Sequence, residues 1–324
     1  MTDPNETQPL DGLLVVDFSR YLPGPFATRE LQRLGARVVR VEPPEGDPMR
    51  TTAPAWDEAV NEGKESVVCD LKRELAFANA LAARADVIVD GFRPGVFKRL
   101  GLEVPERAVL CAITGFGLGG THEQRAGHDV NYLGWAGVLA DTAPGLPPVQ
   151  IADLAAGALD AVGRILAALY ARERTGRGAR IVVSMTHGSH RLVAHRLGGE
   201  PLPRLLTGGL ACYRIYETAD GRHLTLGALE PKFFARFCEV LGAPELAARQ
   251  YGPGQAALAE EIAVMIAQRP LREWLEQFDR EDVCVGPVAT LEEAARELGV
   301  EPLAPARVLG ELTDRWRAEL GLSS

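Results

Sequence analysis

Apolar and amphipathic stretches alternate along the first 185 positions. GLLVVD (12–17) is a continuous apolar run of the kind that forms a buried parallel strand. A turn at Gly24-Pro25 and a helical stretch to about Leu34 follow, with Gly35 as the stop. RVVRVE (37–42) is the next strand, completing a βαβ unit. The pattern then repeats, with strand VVCD (67–70), a helix near 73–84, strand DVIVD (86–90), a short helix near 94–100 and strand VLCAIT (109–114). A long helix is predicted from Leu154 to Arg172, with Asp153 as its N-cap and basic residues at its far end, before strand RIVVSM (180–185). Strands alternating with helices imply an α/β, doubly wound, mostly parallel sheet.

The composition shifts over residues 186–210, which are rich in Gly, Arg, His and Pro. Beyond them lies a smaller α+β pattern, with strand HLTLGAL (223–229), helices from Lys232 to about 279 and strand DVCVGPV (282–288). The division expected is a large Rossmann-like domain at 1–190, a linker at 191–210, a small domain at 211–290 and a C-terminal segment at 291–324 returning to the large domain.

The 324 residues carry a formal net charge of −9. That balance argues against a nucleic-acid partner, because nothing would neutralise a run of phosphates. It still allows an anionic ligand held by a few arginines. No run reaches the roughly 18 consecutive apolar residues of a membrane span, so no membrane association is expected. The polar N-terminus, MTDPNETQPLDG, shows no secretory signal. The five cysteines are odd in number and far apart, which reads as reduced thiols in a cytoplasmic protein.

Candidate chemistry collects at the carboxyl ends of strands, where doubly wound folds bind ligands. Arg40 and Arg93 stand at two such ends, and paired guanidinium groups suit phosphate. The first βα turn lacks GxGxxG, so a plain loop is favoured there over a dinucleotide site. The glycine-rich stretch 114–132 delivers His128 and Asp129 side by side. Asp153 reads either as a helix cap or as a catalytic carboxylate, and Glu230 either as a helix-start acid or as a site residue. His187, His190 and His195 match no zinc spacing. No G-x-S-x-G elbow supports serine hydrolysis.

Taken in order, LDGLLVVDFSRYLPGPFAT (10–28), LGARVVRVEPPEGDPMR (34–50), ADVIVDGFRPGVFKRLGL (85–102), ITGFGLGG (113–120), AGHDVNY (126–132), IADLAAG (151–157), ALYARERTGRG (168–178), DGRHLTLGALEPKFF (220–234) and DVCVGPV (282–288) resemble the family III CoA-transferases, and within them the racemase branch. The resemblance implies a Rossmann-like domain plus a smaller domain, in an interlocked homodimer. It implies His128 and Asp153 as the catalytic pair, with Glu230 orienting the histidine. Arg40 and Arg93 are implied as coenzyme A contacts, with Lys64 and Asp129 near the same ligand.

The activity implied is inversion of the α-carbon of a 2-methylacyl-CoA by two-base proton transfer. The acyl-CoA is the substrate, coenzyme A is bound as part of it, and no metal or organic cofactor is required. The alternatives are CoA transfer between acids through a covalent Asp153 adduct, and a non-catalytic coenzyme A-binding protein. Transferases of the family generally lack the histidine of the GHD motif, so His128 favours the racemase branch. An α-proton is removed only by a base within about 3 Å, and inversion needs an acid on the opposite face.

Overall fold

The computed structural model describes residues 8–199, 202, 204–300 and 305–322. The polar N-terminal residues 1–7, and parts of the expected linker and C-terminal segment (200, 201, 203, 301–304, 323 and 324), lie outside the described residues. The chain divides into two compact units, Met1–His195 with Pro302–Ser324, and Arg196–Glu301.

Unit 1 is built on six parallel strands, β1 (Leu14–Asp17), β2 (Arg37–Glu42), β3 (Glu65–Val68), β4 (Val87–Asp90), β5 (Val109–Thr114) and β6 (Arg180–Ser184). Their order is β3-β2-β1-β4-β5-β6, so the winding reverses between β1 and β4. Its helices in chain order are α1 (Pro23–Arg33), α2 (Met49–Thr52), α3 (Pro54–Asn61), α4 (Leu75–Arg84), α5 (Val96–Arg99), α6 (Asp129–Trp135), α7 (Asp160–Thr175) and α8 (Met185–Val193). A π-helical stretch, Ala152–Leu159, runs directly into α7.

Strand side chains alternate between two cores, as a sheet covered on both faces requires. Val15, Val87 and Val89 join Leu31, Ile165 and Leu169 on one face. Leu14, Val16 and Ile88 join Phe77, Leu81 and Trp316 on the other. By length and composition, the run Ala152–Thr175 could cross a membrane. Here its residues Ala152, Ala158, Ala161, Ile165 and Leu169 belong to the first core.

The structure departs from the sequence reading at several places. Residues 185–193, placed near the start of the composition shift, form α8, whose N-terminus is capped by the Ser184 side chain. The predicted strand at 67–70 begins two residues earlier, at Glu65. Helices α2 and α3 occupy a stretch assigned no element. Four cysteines are buried as expected, whereas Cys284 is exposed.

Unit 2 carries an antiparallel sheet, β7 (Tyr213–Glu217), β8 (His223–Gly227) and β9 (Val285–Pro287), in that order. Helices α9 (Pro231–Leu241), α10 (Gln255–Ile266) and α11 (Leu271–Phe278) supply its core around Phe234, Phe237 and Trp274, and α12 (Leu291–Glu297) follows β9.

The final helix, α13 (Thr313–Glu319), returns to unit 1. The segment leading into it binds β3, the edge strand of the sheet. The Leu312 N–H donates to the Ser66 carbonyl at 3.0 Å, and Thr313 Oγ1 accepts from the Val68 N–H at 2.9 Å. Trp316 is 0% exposed. Its indole N–H donates to Glu65 Oε2 at 2.7 Å, and the Arg37 guanidinium lies 4.4 Å over the ring. Trp316→Ala is expected to lower the unfolding free energy of unit 1 by about 3–5 kcal/mol, the range for deleting a buried aromatic. Denaturant titration of the variant checks this, and a loss below about 1 kcal/mol contradicts the packing described.

Candidate active site

The sheet reverses between β1 and β4, and at that point the first helices on either side diverge to leave a crevice. A cavity of about 450 Å³ opens there. Its walls come from the segments following β1 (Ser19 to Gly24), β4 (Gly91 to Pro94), β5 (Gly115) and β6 (Met185), together with the glycine-rich loop. His128, Asp153 and Arg93 all line it. A second cavity of about 470 Å³ lies along the ends of β1 to β4, and Arg20 and Phe92 belong to the linings of both.

Local packing explains how His128 is presented. The Tyr132 ring fits against Gly115 and Gly127, where added Cβ atoms would come within 2.5 and 2.8 Å of it. The Tyr132 hydroxyl donates to the Gly127 carbonyl. His128 is the residue before α6, with its backbone N–H donating to Asn131 Oδ1 at 3.0 Å. Its side chain is exposed at the cavity wall.

Asp153 is not the N-cap that the sequence led us to expect. It lies within the π-helical stretch, one position past its first residue. Such widened turns recur at functional sites. Asp129 takes the terminal role instead: its Oδ1 accepts the Asp153 N–H at 3.0 Å, and the Ala152 N–H also bonds to it. Asp129 is thus engaged at a helix start and is not among the residues that line the cavity. The Leu154 N–H bonds to the Gln150 carbonyl at 2.9 Å.

The Asp153 carboxyl accepts no hydrogen bond among the described residues. Burial, with the nearby Asp129 charge adding to it, pushes its pKa up to about 7. Tyr132 is pushed up to about 12, chiefly by burial; the charge of Asp153 adds and that of Arg93 opposes.

Arg40 and Lys64, expected to face the coenzyme, are turned into the protein and are each 2% exposed. Arg40 pairs with Asp57 at 2.6 Å, Asp47 at 3.1 Å and Glu42 at 3.6 Å. Lys64 Nζ donates to the Pro25 carbonyl at 2.6 Å, Thr28 Oγ1 at 2.8 Å and Asn61 Oδ1 at 2.9 Å. Lys64 thus has all three donors in use, and Arg40 is enclosed by three carboxylates with only its Nε lacking a hydrogen bond. Arg40 reaches the cavity indirectly. Its partner Asp47 accepts the backbone N–H of Tyr21 at 3.0 Å, holding that residue at φ 65°. A non-glycine residue in this region is held there by its surroundings.

Glu230 belongs to unit 2, where it precedes α9. The histidines have separate tasks: His187 Nδ1 lies 2.8 Å from Ser184 Oγ, and His190 Nδ1 lies 3.0 Å from the Ala136 carbonyl. Sequence reasoning passed over Arg20, Arg125 and Tyr132. Arg125 stands three residues before His128, close enough in the chain to have been noticed.

The family model of CoA-transferase family III matches residues 10–302. The chain belongs to this family. Alpha-methylacyl-CoA racemase from Homo sapiens is 35% identical over 308 residues, covering 88% of this chain and 78% of that protein. Acetyl-CoA:oxalate CoA-transferase from Acetobacter aceti is 34% identical over 322 residues, covering 89% and 82%. A solved structure of a CAIB/BAIF family protein from Brucella suis superposes with a TM-score of 0.80 at 27% identity, covering 96% of this chain and 99% of that one. As a family III enzyme, the chain has the six-stranded α/β sheet that its apolar patterning implied.

The Asp153 pKa carries a consequence for stability. A native carboxyl raised to about 7 keeps a proton that the unfolded chain has already released, so its stabilising contribution is present below about pH 4 and is lost as pH rises through about 7. Asp153→Asn should therefore gain stability relative to the wild type over that window, by on the order of a few kcal/mol. Parallel denaturant titrations at pH 4.5 and 8 measure it; an unchanged difference between the two pH values refutes the buried carboxyl.

Proposed function

We propose that this family III enzyme inverts the α-carbon of 2-methylacyl-CoA thioesters by moving one proton between His128 and Asp153. The supporting observation is that both groups line one cavity at the sheet's reversal point, with the carboxyl pushed up to about 7.

Inversion makes a specific demand on the two groups. Each must act as base for one enantiomer and as acid for the other, so both protonation states must be populated at the working pH. Imidazole as a class titrates near neutrality. Burial brings the Asp153 carboxyl into the same range. A thioester α-carbon held between them loses its proton to one group, passes through an enolate and receives a proton from the other. In this reading coenzyme A enters as part of the substrate, and the route needs no metal or organic cofactor.

The second cavity lies at strand carboxyl ends, where this topology receives groups such as the nucleotide end of the coenzyme; its lining sets Arg20 and Lys72 beside Glu42, Glu45 and Asp70. Arg20 and Phe92, shared by the two cavities, mark the course for the pantetheine arm. Remote contacts of this kind position the reacting carbon.

A second reading is CoA transfer through a covalent adduct on Asp153, favoured by the 34% identity to acetyl-CoA:oxalate CoA-transferase. An imidazole lining the same cavity as the carboxyl has no task in that chemistry, which is why we place it second.

Incubation with 2-methylbutanoyl-CoA in deuterated water should introduce deuterium at the α-carbon. His128→Ala and Asp153→Asn should each slow the exchange by at least about 10²-fold, the lower range for a general acid or base. Exchange at the wild-type rate in both variants rejects the proposal. Capture of an aspartyl acyl adduct by hydroxylamine, with no α-deuterium, selects the transferase reading.

A further inference from the structure

The residue before His128 is a glycine, and no larger one fits, because a Cβ added at Gly127 would lie 2.8 Å from the Tyr132 ring. Glycine makes room for the ring but leaves the peptide unit between residues 127 and 128 poorly restrained by sterics. Side chains from the first turn of α6 grip that unit at both of its polar groups. The Tyr132 hydroxyl donates to the Gly127 carbonyl. Asn131 Oδ1 accepts the His128 N–H at 3.0 Å.

The next peptide unit is held as well. The His128 carbonyl accepts the N–H groups of Asn131 at 2.8 Å and Tyr132 at 3.2 Å. Bonds before the His128 Cα thus restrain its φ at −126°, and bonds after it restrain its ψ at 177°. These two angles decide which side-chain rotamers are open. Four hydrogen bonds from two neighbouring residues therefore bear on the direction of the imidazole.

Tyr132 is built for a fixed position. It is 7% exposed, and its ring meets Phe116 edge-on at 5.3 Å. Burial pushes its pKa up to about 12, so the hydroxyl remains a donor at neutral pH. The same turn of helix carries Asp129, which accepts the Asp153 N–H. One turn thus holds both partners of the proton transfer, His128 through Asn131 and Tyr132, and the Asp153 segment through Asp129.

We propose that Asn131 and Tyr132 are positioning residues, which hold the peptide unit before His128 so that its imidazole faces the α-carbon it shares with Asp153. The inference rests on the α-proton-transfer reading and names what sets its geometry. Neither side chain has to touch the substrate for this effect. A reacting group displaced by about 1 Å loses up to about 10²-fold in rate, and losing one hydrogen bond among several corresponds to about tenfold.

Deuterium incorporation from 2-methylbutanoyl-CoA, followed against thioester concentration, tests it. Tyr132→Phe keeps the ring and removes only the hydroxyl, and Asn131→Ala removes the acceptor. Each should lower kcat by about tenfold and leave KM unchanged. Asn131→Asp, which keeps an acceptor oxygen in place, should recover most of the rate. NMR of protein labelled with carbon-13 at histidine Cε1 reads the ring itself, the His128 signal being the one absent from His128→Ala. That signal should shift or broaden in Tyr132→Phe and Asn131→Ala and be restored in Asn131→Asp. An unchanged His128 signal in Tyr132→Phe overturns the proposal, as does a kcat equal to that of the wild type. So does a loss expressed in KM alone, which would give Tyr132 a binding role. Absence of α-deuterium with the wild type rejects the proton-transfer reading instead, and the His128 signal in the same variants still decides whether the two residues hold the ring. Tyr132→Phe decides the matter if Asn131→Ala fails to fold.

Discussion

The bond from the Asp153 backbone N–H to Asp129 Oδ1, 3.0 Å long, ties together the two pieces of chain on which the candidate chemistry depends. One is the loop ending at His128, and the other is the wide first turn of the helix that runs back across the sheet. A carboxylate at a helix start is favourable in itself, because it meets unpaired N–H groups and the positive end of the dipole. Here it has a further effect. By supplying the terminal contact from 24 residues away, Asp129 leaves the side chain of Asp153 with no structural bond to make. It also places a negative charge close enough to oppose ionisation of that side chain. One interaction thereby fixes the position of the carboxyl and raises its proton affinity.

The βα region on the other wall depends on buried charge. Arg40 is surrounded by Asp57, Asp47 and Glu42, and Glu42 is shared with Arg50 at 2.7 Å. Nearby, Asp17 accepts from Thr28 Oγ1 at 2.6 Å and lies 3.8 Å from Lys64 Nζ. Burial draws Lys64 down to about 7. Such clusters contribute little net stability compared with apolar packing, but breaking one partner out of them is costly. Their visible product is conformational. They hold the turn after β1, where Gly24 approaches Ser19 so closely that an added Cβ would lie 1.9 Å from its Oγ. That turn supplies part of the wall of both cavities.

These two features show what was legible in the sequence. The strand and helix order of unit 1 follows from apolar runs of four to six residues separated by amphipathic stretches, a signal that survives without tertiary context. His128 was legible because a glycine-rich loop after a strand is a place where ligands are approached. The tasks of Arg40, Lys64 and Asp129 were not. Each is a charged residue at or near a strand or helix end, and a linear reading sends such residues to solvent or ligand. Whether a side chain instead turns inward is decided by partners such as Asp57, Asn61 and Ala152, distant in the chain and invisible to local pattern. The same limit hid α2 and α3, short helices of four and eight residues.

The way the C-terminal segment joins β3 bears on the order of synthesis. Unit 2 is inserted within unit 1, so the last stretch of unit 1 leaves the ribosome after all of unit 2 has been made. Until then the backbone of β3 stands as an open sheet edge, beside a space meant for the Trp316 ring. Open edges recruit other strands. The chain thus passes through a stage in which the edge of its larger unit lacks the segment that covers it.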